Sequence, residues 1–265
     1  MSSRSAKGKV TMVLETDLQP HIRLGRNHSA DYALLPGDPG RVKRIAAFLD
    51  DVEELVYNRE FCSVRGKYKG VSVLAVSTGI GGPSTGIAVE ELNKIGVKTM
   101  IRIGSCGALQ DNMKVGDLVI AQAAVRDEGT SKTYIDPCYP AVPDPDVMFA
   151  ILKCARELNY RHYCGIIRSH DSFYTDRENE IDNYWSERGV LAADMETAAL
   201  FVIGRLREVR TASILNVVTE KTASLEQSIN DYASGERAAA MGEEREIKLA
   251  LETFAFLSGL ELSST

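Results

Sequence analysis

An arginine stands inside the apolar run Thr99-Met-Ile-Arg-Ile103, which leads into Gly104-Ser-Cys-Gly107. A short segment that is apolar on both sides reads as a strand covered on both faces, so it places the chain among sheets sandwiched by helices. The charge within it is the harder constraint. Leaving a buried guanidinium without a partner costs about 3–5 kcal/mol, so Arg102 requires a fixed anion. Glycine turns expose main-chain N–H groups, and with the Ser105 hydroxyl they make a site for a tetrahedral oxyanion such as phosphate. A salt bridge to a core carboxylate satisfies Arg102 equally well on these residues alone.

Other segments extend the alternation. Tyr32–Leu35 reads as a buried strand, followed by a turn over residues 36–40 and a helix over Arg41–Leu49. Phe61–Val76 reads as a hairpin about Gly70, and Ser84–Ile95 as the helix before the Arg102 strand. Asp117–Val125, Cys164–Ser169 and Ser213–Val218 read as strands, and Asp144–Leu158, Met195–Arg207 and Arg237–Leu257 as helices. The pattern predicts one α/β domain over residues 18–258, with a central sheet covered on both faces. Residues 1–17 are expected to form a flexible leader and residues 259–265 a frayed tail.

A net charge of −6 supplies no basic footprint for nucleic acid. No apolar run reaches the roughly 20 residues of a membrane span, and the polar start lacks a secretion signal. The five cysteines show no metal-binding spacing. Free thiols in a cytoplasmic setting, with no structural metal, are the expectation.

Chemistry gathers where strands end. Arg41 opens its helix, where a cation opposes the helix dipole unless an anion lies between it and the amides; a solvated side chain is the alternative. Asp194 and Glu196 suit a helix start as cap and first-turn acid, or Glu196 accepts hydrogen bonds from a sugar diol while Met195 packs on the ring. Phe173 serves as a stacking platform for a planar base or as core.

Taken in order, Pro36-Gly-Asp-Pro-Gly-Arg41, Asn58-Arg-Glu-Phe61, Ser77-Thr-Gly-Ile-Gly-Gly-Pro-Ser-Thr-Gly-Ile-Ala-Val-Glu-Glu-Leu92, Arg102-Ile-Gly-Ser-Cys-Gly107 and Asp194-Met-Glu196 resemble the nucleoside phosphorylase family. That family joins uridine phosphorylases to bacterial-type purine nucleoside phosphorylases. The resemblance runs from about His21 to Ala255 and implies a three-layer αβα sandwich with a distorted mixed β-sheet. It implies a phosphate pocket of Gly37, Arg41, Arg102 and Ser105, with Arg59 supplied by a neighbouring subunit. It implies ribose contacts from Met195, Glu196 and the neighbour's His21, and a base facing Phe173. Homo-oligomers with shared sites, hexamers above all, are expected. The substrates would be a nucleoside and inorganic phosphate, with no organic cofactor, no nucleic acid and no membrane. Glu60 and Ser84 fall where a monovalent cation such as K⁺ binds between subunits of uridine phosphorylases.

The base is less well marked. The glutamine and arginine that read uracil are absent as a pair after Phe173-Tyr174, and Arg177 stands as the candidate in their place. Where purine enzymes carry an acid aspartate, this chain has Glu220 or Lys221. Gly81–Leu92 and Arg102–Gly104 look closer to the uridine branch, so a uridine phosphorylase is expected, with a purine or dual-specificity enzyme as the alternative. A nucleosidase, against which the arginines argue, and a non-catalytic nucleoside-binding protein are further readings.

Overall fold

The computed structural model describes residues 17–221, 223, 230 and 237–263. The expected leader, residues 1–17, lies outside the described residues except for Asp17.

Nine strands form one mixed sheet: β1 (Tyr32–Pro36), β2 (Asp50–Asn58), β3 (Phe61–Tyr68), β4 (Val71–Val76), β5 (Thr99–Ala108), β6 (Leu118–Asp127), β7 (His162–His170), β8 (Ala192–Asp194) and β9 (Arg210–Thr219). Seven α-helices accompany them among the described residues: α1 (Pro39–Ala46), α2 (Gly82–Ile95), α3 (Thr130–Tyr134), α4 (Pro145–Glu157), α5 (Glu178–Ser186), α6 (Thr197–Leu206) and α7 (Arg237–Ser263). The sheet order is β2-β3-β4-β1-β5-β8-β7-β6-β9, and β9 pairs back onto β5. One half of the sheet is therefore open, and the other closes into a ring of five strands with β5 common to both.

Alternation along β1 and β5 divides the core. Ala33, Leu35 and Met100 pack on the face covered by α2 and α6, while Leu34, Ile101 and Ile103 pack on the face covered by α1, α4 and α7. This is the expected three-layer sandwich, its sheet distorted by the ring closure. The hairpin turn falls at Lys69-Gly70, both with positive φ (48° and 83°), as a tight two-residue connection requires.

Several boundaries differ from the sequence expectation. β5 does not stop at Ile103. It continues through Gly104–Ala108, paired with β9 from Thr99↔Arg210 to Gly107↔Thr219, with an irregularity between Cys106 and Gly107. The glycines there are strand residues, because β9 offers a continuous parallel partner. α6 starts at Thr197, after Met195 and Glu196. α7 runs on to Ser263 through the stretch expected to fray, where Glu261 accepts a hydrogen bond from the Tyr32 hydroxyl (2.8 Å) and pairs with Arg210 (2.5 Å). β2 was not foreseen, since Asp50, Asp51, Glu53 and Glu54 are exposed and carry no apolar alternation. It pairs only with β3 and forms the outer edge of the open half. No described helix is long and apolar enough to cross a membrane, and all five cysteines are free.

Candidate active site

β1 and β5 run parallel with Leu35 opposite Arg102, so the turn after β1 and the Arg102 side chain come to the same end of the sheet. Asp38 caps α1 by accepting the Gly40 N–H at 2.8 Å. Arg41 follows in the first turn and is buried, not solvated. Its Nε donates to Glu243 at 2.9 Å, and its Nη1 lies 3.3 Å from both the Ile103 carbonyl oxygen and Glu246. The anion that offsets a cation at this helix start thus comes from α7, as the Glu243 carboxylate. Arg44 also grips Glu243.

Arg102 is buried and meets both readings of its partner. Nε donates to Asp194 at 3.0 Å, and Nη2 lies 2.5 Å from Glu196. Nη1, however, is buried with no hydrogen-bond partner among the described residues. It sits 4.0 Å from where a Cβ on Gly37 would stand. An unpartnered guanidinium N–H beside a glycine turn is a donor chemically suited to an anion. The guanidinium folds over Gly104, where a Cβ would stand 2.6 Å from Nη2, so only glycine leaves it room. The Gly104 N–H is not open to a ligand: it donates to Glu246 at 3.2 Å. Burial pushes the Glu246 carboxyl up to about 8, against the pull of Arg41. Burial also acts on Glu243, but Arg41 and Arg44 outweigh it and hold that group below its ordinary value.

The β8–α6 junction forms the adjoining wall. Asp194 is wholly enclosed and accepts from Ser169 Oγ (2.6 Å), Thr197 N (3.0 Å) and Thr197 Oγ1 (2.6 Å) besides Arg102. It caps α6 from within β8 and orients Arg102, so it has no lone pair to spare for a sugar. Glu196 accepts the Gly81 N–H at 2.6 Å. Gly81 has φ 90°, which turns that amide toward the carboxylate. Burial, with Asp194 adding to it, raises the Glu196 carboxyl above its ordinary value, while Arg102 opposes the rise.

These groups share one cavity of about 1160 Å³, ample for a nucleoside and phosphate together. It is lined by Gly37, Arg41, Arg102, Ser105, Met195, Glu196 and Phe173, seven of the expected site residues. Glu60 and Ser84 also line it, with Ser84 Oγ donating to Glu60 at 2.7 Å. Five others lie elsewhere on the chain. His21 is held by Glu91 at 2.7 Å, and Arg59 is exposed on the β2–β3 turn with φ 55°. Arg177 is exposed and paired with Glu180 at 2.8 Å. Glu220 is paired with Lys114 at 2.7 Å, and Lys221 lies 3.4 Å from Asp111. Sequence reasoning missed Glu243, Glu246 and His170. The first two stand three apart on the longest helix, a spacing that puts them on one face and was legible in principle.

The phosphorylase superfamily matches residues 31–253 of this chain. The chain belongs to that superfamily. It is 39% identical to uridine phosphorylase of Thermococcus kodakarensis, covering 90% of this chain and 88% of that one. It is 38% identical to guanosine phosphorylase of Halorubrum lacusprofundi, covering 90% and 99%. A crystal structure of uridine phosphorylase from Vibrio fischeri superposes with a TM-score of 0.85 at 44% identity, covering 91% of this chain and 97% of that one. The phosphorylase chain described here is accordingly a pentosyltransferase that uses a nucleoside and phosphate.

Proposed function

We propose that this phosphorylase cleaves uridine, with phosphate held by Gly37, Arg41, Arg102 and Ser105, ribose by Met195 and Glu196, and the base against Phe173. The observation that carries the reading is the bare Nη1 of Arg102 beside the Gly37 turn, one guanidinium away from Glu196. An anion site and a diol acceptor are thereby bridged by a single side chain. Phosphate placed there attacks C1′ as the glycosidic bond breaks, and its negative charge lies beneath the positive charge that develops on the sugar. Glu196 accepts from the ribose hydroxyls and fixes the ring, Met195 covers it, and the base departs with the bonding electrons. No protein nucleophile takes part. Arg177 and Glu220, tied to Glu180 and Lys114, are outside this reading.

Uridine is favoured because several relatives at 36–39% identity, from an archaeon, a spirochaete and an enterobacterium, are uridine phosphorylases. Guanosine is the second reading, carried by the Halorubrum relative, which matches over nearly its full length. Incubation with uridine, with and without phosphate, tests the reaction. Uracil and ribose 1-phosphate are expected only with phosphate, and equal base release in both arms would overturn phosphorolysis.

The oligomer belongs to the same reading. His21 and Arg59 lie away from the cavity of their own chain, as they would if each completed a neighbour's site in a hexamer of shared-site dimers. Exposed Tyr57 and Ile80 flank that region. Glu60 and Ser84 offer hard oxygen donors suited to K⁺ at the same junction, where Ser84 holds the Glu60 carboxyl below its ordinary value. A bound K⁺ would supply fixed positive charge between subunits. Free thiols throughout fit a reducing cytoplasm.

A further inference from the structure

His170 closes β7 and lines the cavity beside Phe173 and Cys106, yet the phosphorolysis described above gives it no role. Its Nδ1 stands 3.0 Å from the main-chain carbonyl oxygen of Ser172. A carbonyl oxygen can only accept, so Nδ1 carries the proton and the neutral ring keeps its lone pair on Nε2. Nε2 has no hydrogen-bond partner among the described residues.

The surroundings keep the ring neutral. Burial lowers the imidazole below its ordinary value, Arg168 on the same strand lowers it further, and Asp194 on β8 and Asp182 on α5 oppose them. Asp194 is already engaged by Arg102, Ser169 and Thr197. Arg168 pairs with Asp127 at 2.7 Å and lies 3.9 Å from Asp182. Near neutral pH the cavity therefore meets its ligand with a pure acceptor at this point.

We propose that Nε2 of His170 reads the leaving base by accepting a ring N–H, selecting lactam bases over their amino counterparts. Uracil and thymine present N3–H, and guanine and hypoxanthine present N1–H. Cytosine and adenine present a lone pair at the same ring position and would face the imidazole lone pair across an unmade hydrogen bond. A site built around one hydrogen bond rejects the analogue lacking it, here by roughly 10- to 100-fold. The inference rests on the cavity's assignment to a nucleoside and deepens it: one acceptor accommodates both uridine and guanosine, the substrates named for two of the relatives.

The test compares kcat/KM for uridine against cytidine and for guanosine against adenosine, in the native protein and in His170→Phe and His170→Gln. Native ratios of about 10 or more are expected. His170→Phe should bring both ratios within about threefold of unity, and His170→Gln, whose amide oxygen still accepts, should recover part of each. Acidification should erode the native ratios as Nε2 gains a proton, while leaving those of His170→Phe flat. Ratios that survive His170→Phe would overturn the proposal, as would a native protein indifferent to lactam and amino bases. Calorimetric binding of free uracil against cytosine gives the same ratio without turnover. A protein that failed phosphorolysis but kept a His170-dependent preference would overturn the reaction and sustain the base reader.

Discussion

Arg102 occupies its place because Gly104, two residues on, has no side chain. A Cβ there would stand 2.6 Å from Nη2, and the guanidinium is buried and held by Asp194 and Glu196, so making room breaks a buried ion pair. Gly104→Ala should therefore cost about 3–5 kcal/mol of stability and also lower kcat/KM for phosphate on the order of 10²-fold. Steady-state kinetics beside calorimetry check this, and an unchanged thermal midpoint with phosphate use intact would refute it. Glu246 behaves differently because it is buried. Its carboxyl binds a proton more tightly when folded, at about 8, than at its ordinary value of 4.5. The stability it contributes is whole below about pH 4.5 and is lost as pH rises through about 8. Glu246→Gln, which mimics the protonated form, should lack that loss, so the native protein should fall behind the variant between pH 6 and 9 in denaturation midpoints. A constant gap across that range would mean that Glu246 is ionised throughout. The demand of Arg102 for an anion was legible in the sequence, because a charge in an apolar strand has few solutions. Its protein partners were not, since Asp194 and Glu196 come from a junction some ninety residues away that only the sheet brings near.

Elements set the distances between these groups. α7 carries Glu243 and Glu246 to Arg41, and its start is seated on β9 through Asn216, whose amide donates to the Ala239 carbonyl at 2.8 Å. Gly242 makes the seat possible, since a Cβ would stand 2.0 Å from Asn216 Oδ1 and 2.8 Å from the Gly116 Cα. Gly242→Ala should cost about 1–3 kcal/mol in chemical denaturation and raise KM for phosphate by loosening Arg41. An unaltered midpoint and KM would show that the seam gives way freely. Apolar runs made the central strands readable. The glycines of β5 misled because a glycine pair looks like a turn until a partner strand is known. β2 went unread because an exposed acidic strand has no apolar face to betray its period.

The whole molecule joins an open sheet to a closed ring at β5, and the cavity lies along that seam. The residues proposed to hold phosphate come from the β1–β5 side, and those proposed for sugar and base from β7, β8 and β9. If Arg59 completes a neighbour's site, Arg59→Ala and Arg102→Ala subunits should each be nearly inactive, yet unfolding and reassembling them together should restore about a quarter of the native activity, because a mixed dimer holds one intact site in two. Activity that stays at the level of the separate variants would place Arg59 outside the chemistry. The ring closure has one more consequence. A closed ring offers no lateral edge, so among the described strands the sheet ends freely only at β2, where Asp50, Asp51, Glu53 and Glu54 face solvent. Acidic side chains along the free edge of a strand disfavour a second copy approaching to extend the ladder. The acidic edge is thus a guard against fibre-like aggregation.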